Sequence, residues 1–151
     1  MSILSEILIK KSLTIAVAES CSGGNLSALL TSESGASAYF DRGYITYSNQ
    51  AKMDMLDVSE NTLNTYGAVS TETALEMAQG IIKNASTDIA VSITGIAGPN
   101  SDDTNKPVGM VCFAFYINGN YSTTTQQFDG NRHSVITQSV EFAVNALIKS
   151  L

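Results

Sequence analysis

The apolar positions of this chain alternate between two periods. Ile3, Leu4, Ile7 and Leu8 recur at helical spacing and predict a short amphipathic helix over residues 1–12. The run Leu13-Thr14-Ile15-Ala16-Val17-Ala18 predicts a buried strand, and a helix is expected from Gly23 to about Thr31. Tyr39–Tyr47 is aromatic and β-branched and reads as a strand. Gln50–Leu56 and Ser59–Tyr66 read as short helices, the second with Ser59 as N-cap. Ser70 is placed to cap a longer helix, with Glu72 in its first turn and Ala74, Met77, Ala78, Ile81 and Ile82 as its apolar stripe. Asp88–Thr94 predicts a strand ending at Gly95, and Val108–Ile117 a longer one. Asn118-Gly119 is a strong hairpin signal leading into a strand over Tyr121–Phe128. A closing helix is expected from Asn131 onward, with Ile136, Val140, Ala143, Val144 and Leu147 inward.

Alternating helices and strands, then a hairpin, then a helix predict an α/β fold with a mixed sheet covered on both faces. The 151 residues fit one domain, with no internal repeat and no linker. With 44% hydrophobic and 15% charged residues, the composition excludes disorder, and no apolar run is long enough to cross a bilayer. The first residues lack the pattern of a signal peptide, so a cytoplasmic location is expected. Cys21 and Cys112 belong to no CxxC or Cys/His cluster, which argues against a disulfide framework; Cys21 is expected to pack under its turn. A net charge of −6, with six lysines and only two arginines, excludes a nucleic-acid-binding face. One His and scattered acids give no metal-ligand spacing; Asp102-Asp103 reads as part of a solvated, mobile loop over Asn100–Asn105.

Four stretches carry possible chemistry. In Ala18-Glu19-Ser20-Cys21-Ser22-Gly23-Gly24, a serine follows a strand, and the amides of Ser22, Gly23 and Gly24 lie where a helix starts. Such donors can hold a phosphate or an oxyanion, and the serine can be a nucleophile; equally, Ser20 or Ser22 can be a helix cap. In the stretch Tyr44–Lys52, Lys52 can activate a serine if burial lowers its pKa, or can be a surface residue at a helix start. The Gly95-Ile96-Ala97-Gly98-Pro99 turn allows close backbone approach to a ligand, or is an ordinary turn. Arg132 sits at a helix N-terminus, unfavourable for a cation; it invites an anion, either a ligand phosphate or a carboxylate such as Glu19, or it is solvated.

Together these stretches, with Arg42-Gly43-Tyr44-Ile45-Thr46-Tyr47-Ser48-Asn49, Gly67-Ala68-Val69-Ser70 and Lys106-Pro107-Val108-Gly109, resemble the C-terminal domain of the CinA family, the nicotinamide-nucleotide amidases also called NMN deamidases or PncC. The likeness runs over nearly the whole chain, in the family's order. It implies a three-layer α/β/α sandwich, commonly dimeric or a higher homo-oligomer, that hydrolyses the carboxamide of nicotinamide mononucleotide (NMN) without a cofactor. The family's nucleophile falls on Ser20, its tyrosine and lysine on Tyr47 and Lys52, and its late arginine on Arg132. Ser22, Gly23, Gly24, Asn49, Gly95, Ala97 and Gly98 are the implied substrate-binding positions beside Arg132. Three departures stand out: Ser22 replaces a threonine, Asn131 an acid, and Asn100-Ser101-Asp102-Asp103 a glycine pair. Larger members carry an N-terminal domain related to molybdopterin-binding proteins and linked to ADP-ribose pyrophosphatase activity, which is not expected of these residues. Two other classes stay open: a nucleotide-binding domain without turnover, and a partner-binding module tied to competence or damage responses.

Overall fold

A computed structural model describes residues 2–101 and 104–151, so Asp102 and Asp103 of the expected loop lie outside the described residues. The elements follow the order α1 (Ile3–Lys11), β1 (Ile15–Glu19), α2 (Asn25–Leu30), a 3-10 turn (Ala36–Ala38), β2 (Phe40–Ile45), α3 (Asn49–Leu56), α4 (Glu60–Tyr66), α5 (Thr71–Ala85), β3 (Ile89–Gly95), β4 (Met110–Ile117), β5 (Asn120–Gln127) and α6 (Arg132–Ser150). They form one five-stranded sheet in the order β2-β1-β3-β4-β5. β1 pairs in parallel with β2 and β3, whereas β4 runs antiparallel between β3 and β5. The result is the expected α/β fold: a mixed sheet between two helical layers.

Side-chain alternation sorts the layers. Ile15, Val17, Val91, Ile93, Phe113 and Phe115 project toward α1, α2 and α6, where they meet Leu4, Leu8, Leu26, Val135 and Leu147. The opposite face is small: Ala16, Ala18 and Ala90 meet Leu56, Leu63, Met77 and Ile81 of α3, α4 and α5. Beside them the Ser92 hydroxyl donates to the Ala74 carbonyl of α5 (2.6 Å). The small face seats α5 directly against the sheet. Gly80 does the same against α3, since a Cβ there would lie 2.2 Å from the Leu56 carbonyl oxygen.

Three of the boundaries that differ from expectation have a local reason. The helix expected from Gly23 starts at Asn25, because Gly23 and Gly24 have φ of +57° and +103°, outside the right-handed helical region. β2 ends at Ile45 rather than Tyr47, because the Thr46 and Tyr47 carbonyls leave the ladder to accept from Lys52 Nζ. β4 starts at Met110 because Gly109 is left-handed at φ +90°. The hairpin falls where expected, with positive φ at both Asn118 and Gly119. Among the described residues, no helix is long and apolar enough to cross a membrane.

The Gly80 contact yields a stability test. Alanine is the better helix former by about 1 kcal/mol, yet the added methyl must push α3 and α5 apart. Gly80→Ala is expected to lower the unfolding free energy by about 1–3 kcal/mol, measured by urea denaturation; an unchanged or raised midpoint would refute the close packing.

Candidate active site

The carboxyl ends of β1 and β3 face a cavity of about 220 Å³, the usual ligand side of a sheet built on parallel strands. Its lining comes from Ser20 and Cys21 after β1, Tyr47 and Lys52 around the start of α3, Ala68 and Val69 before α5, Thr94–Gly98 with Asn100 and Ser101 after β3, and Arg132 in the first turn of α6.

Ser20 is fixed by the strands on either side. Its N–H donates to the Ile93 carbonyl of β3 (2.9 Å), and the Thr46 N–H donates to the Glu19 carbonyl (2.9 Å). Glu19, fully buried, turns its carboxylate onto α2: one oxygen accepts from Leu26 N–H (2.8 Å), the other from Ser27 N–H (2.9 Å) and Ser27 Oγ (2.7 Å). The helix cap of this turn is therefore Glu19, not Ser20 or Ser22, and its carboxylate is not the anion that Arg132 meets. The Ser22 hydroxyl is buried with no partner among the described residues.

Lys52 is among the largest fully buried side chains of the described residues, at 1% exposure. Ser48 caps α3 by accepting the Ala51 N–H (3.0 Å), and Lys52 lies one turn further on. Its Nζ contacts Ser20 Oγ at 3.0 Å, the Thr46 carbonyl at 2.9 Å and the Tyr47 carbonyl at 3.3 Å. Among the described residues no carboxylate pairs with it. Burial pushes the ammonium down to about 8, with the neighbouring Cys21 a smaller opposing influence. The Cys21 thiol is itself buried and pushed up to about 12, so it stays protonated at neutral pH.

Tyr47 meets this pair through its backbone. Its carbonyl accepts from Lys52 Nζ and from Ser20 Oγ (3.4 Å), while its exposed ring sends the hydroxyl outward to Arg132 (2.8 Å). The second arm of the Arg132 guanidinium donates to the Gly98 carbonyl (2.8 Å). Arg132 thus ties two segments of the rim together. The Gly95–Gly98 turn is also built for closeness: a Cβ at Gly95 would lie 2.7 Å from Val111, and one at Gly98 2.5 Å from Val108.

The structure brings together Ser20, Lys52, Tyr47, Gly95, Ala97, Gly98 and Arg132. It does not bring Ser22, Gly23, Gly24 or Asn49 to the cavity lining. The Gly23 amide is no free donor, because it closes a turn on the Ser20 carbonyl (3.1 Å). Asn49 opens α3 on the exposed surface. Sequence reasoning gave no role to Ala68, Val69 and Thr94, which also line the cavity. The Gly67–Ser70 stretch was visible as a motif, but nothing in its spacing points to β1.

The CinA C-terminal domain model matches residues 1–151. The chain belongs to the CinA C-terminal domain family. It is 46% identical over 136 residues to the nicotinamide-nucleotide amidohydrolase PncC of Enterobacter agglomerans, covering 89% of this chain and 83% of that protein. It is 44% identical over 149 residues to a CinA-like protein of Kosmotoga olearia, covering 99% of this chain and 36% of that protein. The chain thus spans about a third of the length of this and other curated relatives it matches. A crystal structure of a CinA superfamily protein from Escherichia coli superimposes with a TM-score of 0.96 at 38% identity, over 99% of this chain and 87% of that one.

The buried lysine sets a pH dependence of stability. Folded Lys52 loses its proton near 8, the unfolded side chain near 10.5. Between those values the unfolded chain holds more protons, so stability rises with pH. The unfolding free energy from urea denaturation is expected to climb from pH 8 to 10.5 in the wild type relative to Lys52→Met, by up to about 3 kcal/mol; parallel profiles would refute a buried, unpaired amine. Glu19→Gln, which sets an amide N–H₂ against backbone donors, is expected to cost about 2–3 kcal/mol by the same measurement.

Proposed function

We propose that this domain is a nicotinamide-nucleotide amidohydrolase that converts NMN to nicotinate mononucleotide and ammonia through Ser20 and Lys52. One observation carries the reading: a buried, unpaired lysine amine 3.0 Å from the serine hydroxyl at the cavity. Its likeness to the Enterobacter agglomerans enzyme over most of both chains supplies the substrate class.

In the neutral form, Lys52 accepts the Ser20 hydroxyl proton, and Oγ attacks the carboxamide carbon. Charge develops on the carboxamide oxygen. The Cys21 amide, directly after the nucleophile and with no oxygen acceptor among the described residues, is the nearest donor in sequence to meet it. Lys52 returns the proton to the departing nitrogen, the C–N bond breaks and ammonia leaves. Water then gives a proton to Lys52 and attacks the acyl carbon; the C–Oγ bond breaks, and Ser20 regains its proton as the acid departs. Tyr47 serves through its carbonyl, which orients the amine. The Gly95–Gly98 turn and Arg132 shape the pocket for the ribose and phosphate, and Arg132 supplies a local positive charge in an acidic protein.

Ser20→Ala is expected to reduce ammonia release from NMN by at least 10³-fold with an unchanged melting temperature. Turnover retained in Ser20→Ala would sink the mechanism, and tight NMN binding by the wild type without ammonia would select a binding domain instead. In the wild type kcat/KM is expected to rise with pH and level off above about 8, as the Lys52 amine becomes neutral. A flat profile from pH 6 to 9 would remove Lys52 from the role of base.

A further inference from the structure

Two stretches of the sequence pattern, Gly67–Ser70 and Lys106–Gly109, take no part in the proposed chemistry, yet the fold brings them into contact. The Lys106 ammonium donates to the carbonyls of both Tyr66 and Val69. Gly67 lies against it so closely that a Cβ there would sit 3.0 Å from Nζ. Between these two acceptors, the Gly67 carbonyl accepts from Ser70 Oγ (3.0 Å) and Thr73 Oγ1 (2.7 Å), and the Ala68 carbonyl from Thr94 Oγ1 (2.8 Å). Four successive carbonyls, from Tyr66 at the end of α4 to Val69, are therefore held by side-chain donors: Ser70 and Thr73 from close by, Thr94 and Lys106 from distant parts of the chain. Of these donors only Lys106 holds two carbonyls of the loop, and among the described residues it has no carboxylate partner.

The same short segment also braces the opposite turn. The Gly109 N–H donates to the Ile96 carbonyl (2.7 Å), and Val108 packs against Gly98. Ala68 and Val69 on one side, and Ile96 and Gly98 on the other, all line the cavity. Lys106 does not line it. It therefore acts on a ligand only through the loop it grips.

We propose that Lys106 is a positioning residue for substrate: it clamps the Tyr66–Val69 loop as a wall of the cavity and so sets the fit of the ligand, leaving the Ser20–Lys52 chemistry untouched. Drawing the Tyr66 and Val69 carbonyls onto an ammonium outside the cavity also keeps their negative ends off an anionic ligand. The kinetic arm of the test rests on the amidase reading; the exchange arm does not.

Lys106→Met removes both donors and keeps most of the apolar stem, and Lys106→Gln retains donors for a single carbonyl. In the ligand-free protein, amide hydrogen exchange of the 66–72 segment is expected to quicken at least tenfold in Lys106→Met and less in Lys106→Gln, with the core of β3 unchanged. In the ammonia assay, KM for NMN is expected to rise at least tenfold, in the same order of variants, with kcat within about threefold of wild type. A purely structural role would instead quicken exchange throughout the sheet or lower kcat along with the melting temperature. Unchanged exchange in the 66–72 segment overturns the clamp. Unchanged KM beside a working wild type overturns its role in ligand fit. A wild type that releases no ammonia counts against the amidase reading alone, and the exchange result still decides whether Lys106 holds the wall.

Discussion

The structure turns on how a lysine amine is held without a counter-ion. A neutral amine has two N–H donors and one lone pair. Around Lys52 Nζ stand two backbone carbonyls and one hydroxyl, so each donor has an acceptor and the lone pair has the Ser20 proton. The set also fits the protonated state: an ammonium donates to all three oxygens, and the Ser20 hydroxyl turns to the Tyr47 carbonyl. A carboxylate would satisfy the amine too, but would hold it protonated and disable it as a base. The two carbonyls come from the place where β2 gives up its ladder, so the strand end is part of the site's chemistry. Folding constrains reactivity here through backbone direction as much as through side-chain identity.

Charge placement follows the same economy. The protein carries a net charge of −6, yet Lys52, Lys106 and Arg132 all point their charges at neutral oxygens around one cavity. The ion pairs described between side chains, Arg42 with Asp41 and Lys83 with Asp57, lie on the exposed surface away from it. Cations solvated by carbonyls keep their field available to an incoming anion, whereas cations paired to carboxylates do not.

Much of the fold was legible because it is written in periods. The strands β1, β3 and β4 and the stripe of α5 are apolar runs with the right spacing, and Asn118-Gly119 admits few conformations other than a tight hairpin. The boundaries were less legible because backbone conformation and tertiary contacts set them: past Ile45 the Thr46 and Tyr47 carbonyls accept from Lys52. The site was legible in part. Local spacing left Ser20 between cap and nucleophile, and the structure moves the capping duty to Glu19, whose carboxylate reaches across the turn. Gly23 and Gly24 make the turn between them with positive φ, and the Gly23 amide is spent within it on the Ser20 carbonyl. Thr46 contributes through its carbonyl alone, which no side-chain pattern can announce. Lys106 looks in the sequence like one more surface lysine beside a proline; its two acceptors lie 40 and 37 residues away.

Arg132 has a consequence of a different kind. It opens the last helix and ties together the segment after β2 and the turn after β3, closing a rim whose other parts are all encoded upstream. During synthesis the serine, the lysine and the glycine turn leave the ribosome well before the residue that joins them at the rim. α6 also supplies Val135, Val140, Ala143 and Leu147 to the larger core. One element therefore both covers an apolar face and finishes the cavity, so in the nascent chain the contact between Ser20 and Lys52 lies in an unfinished pocket until α6 docks.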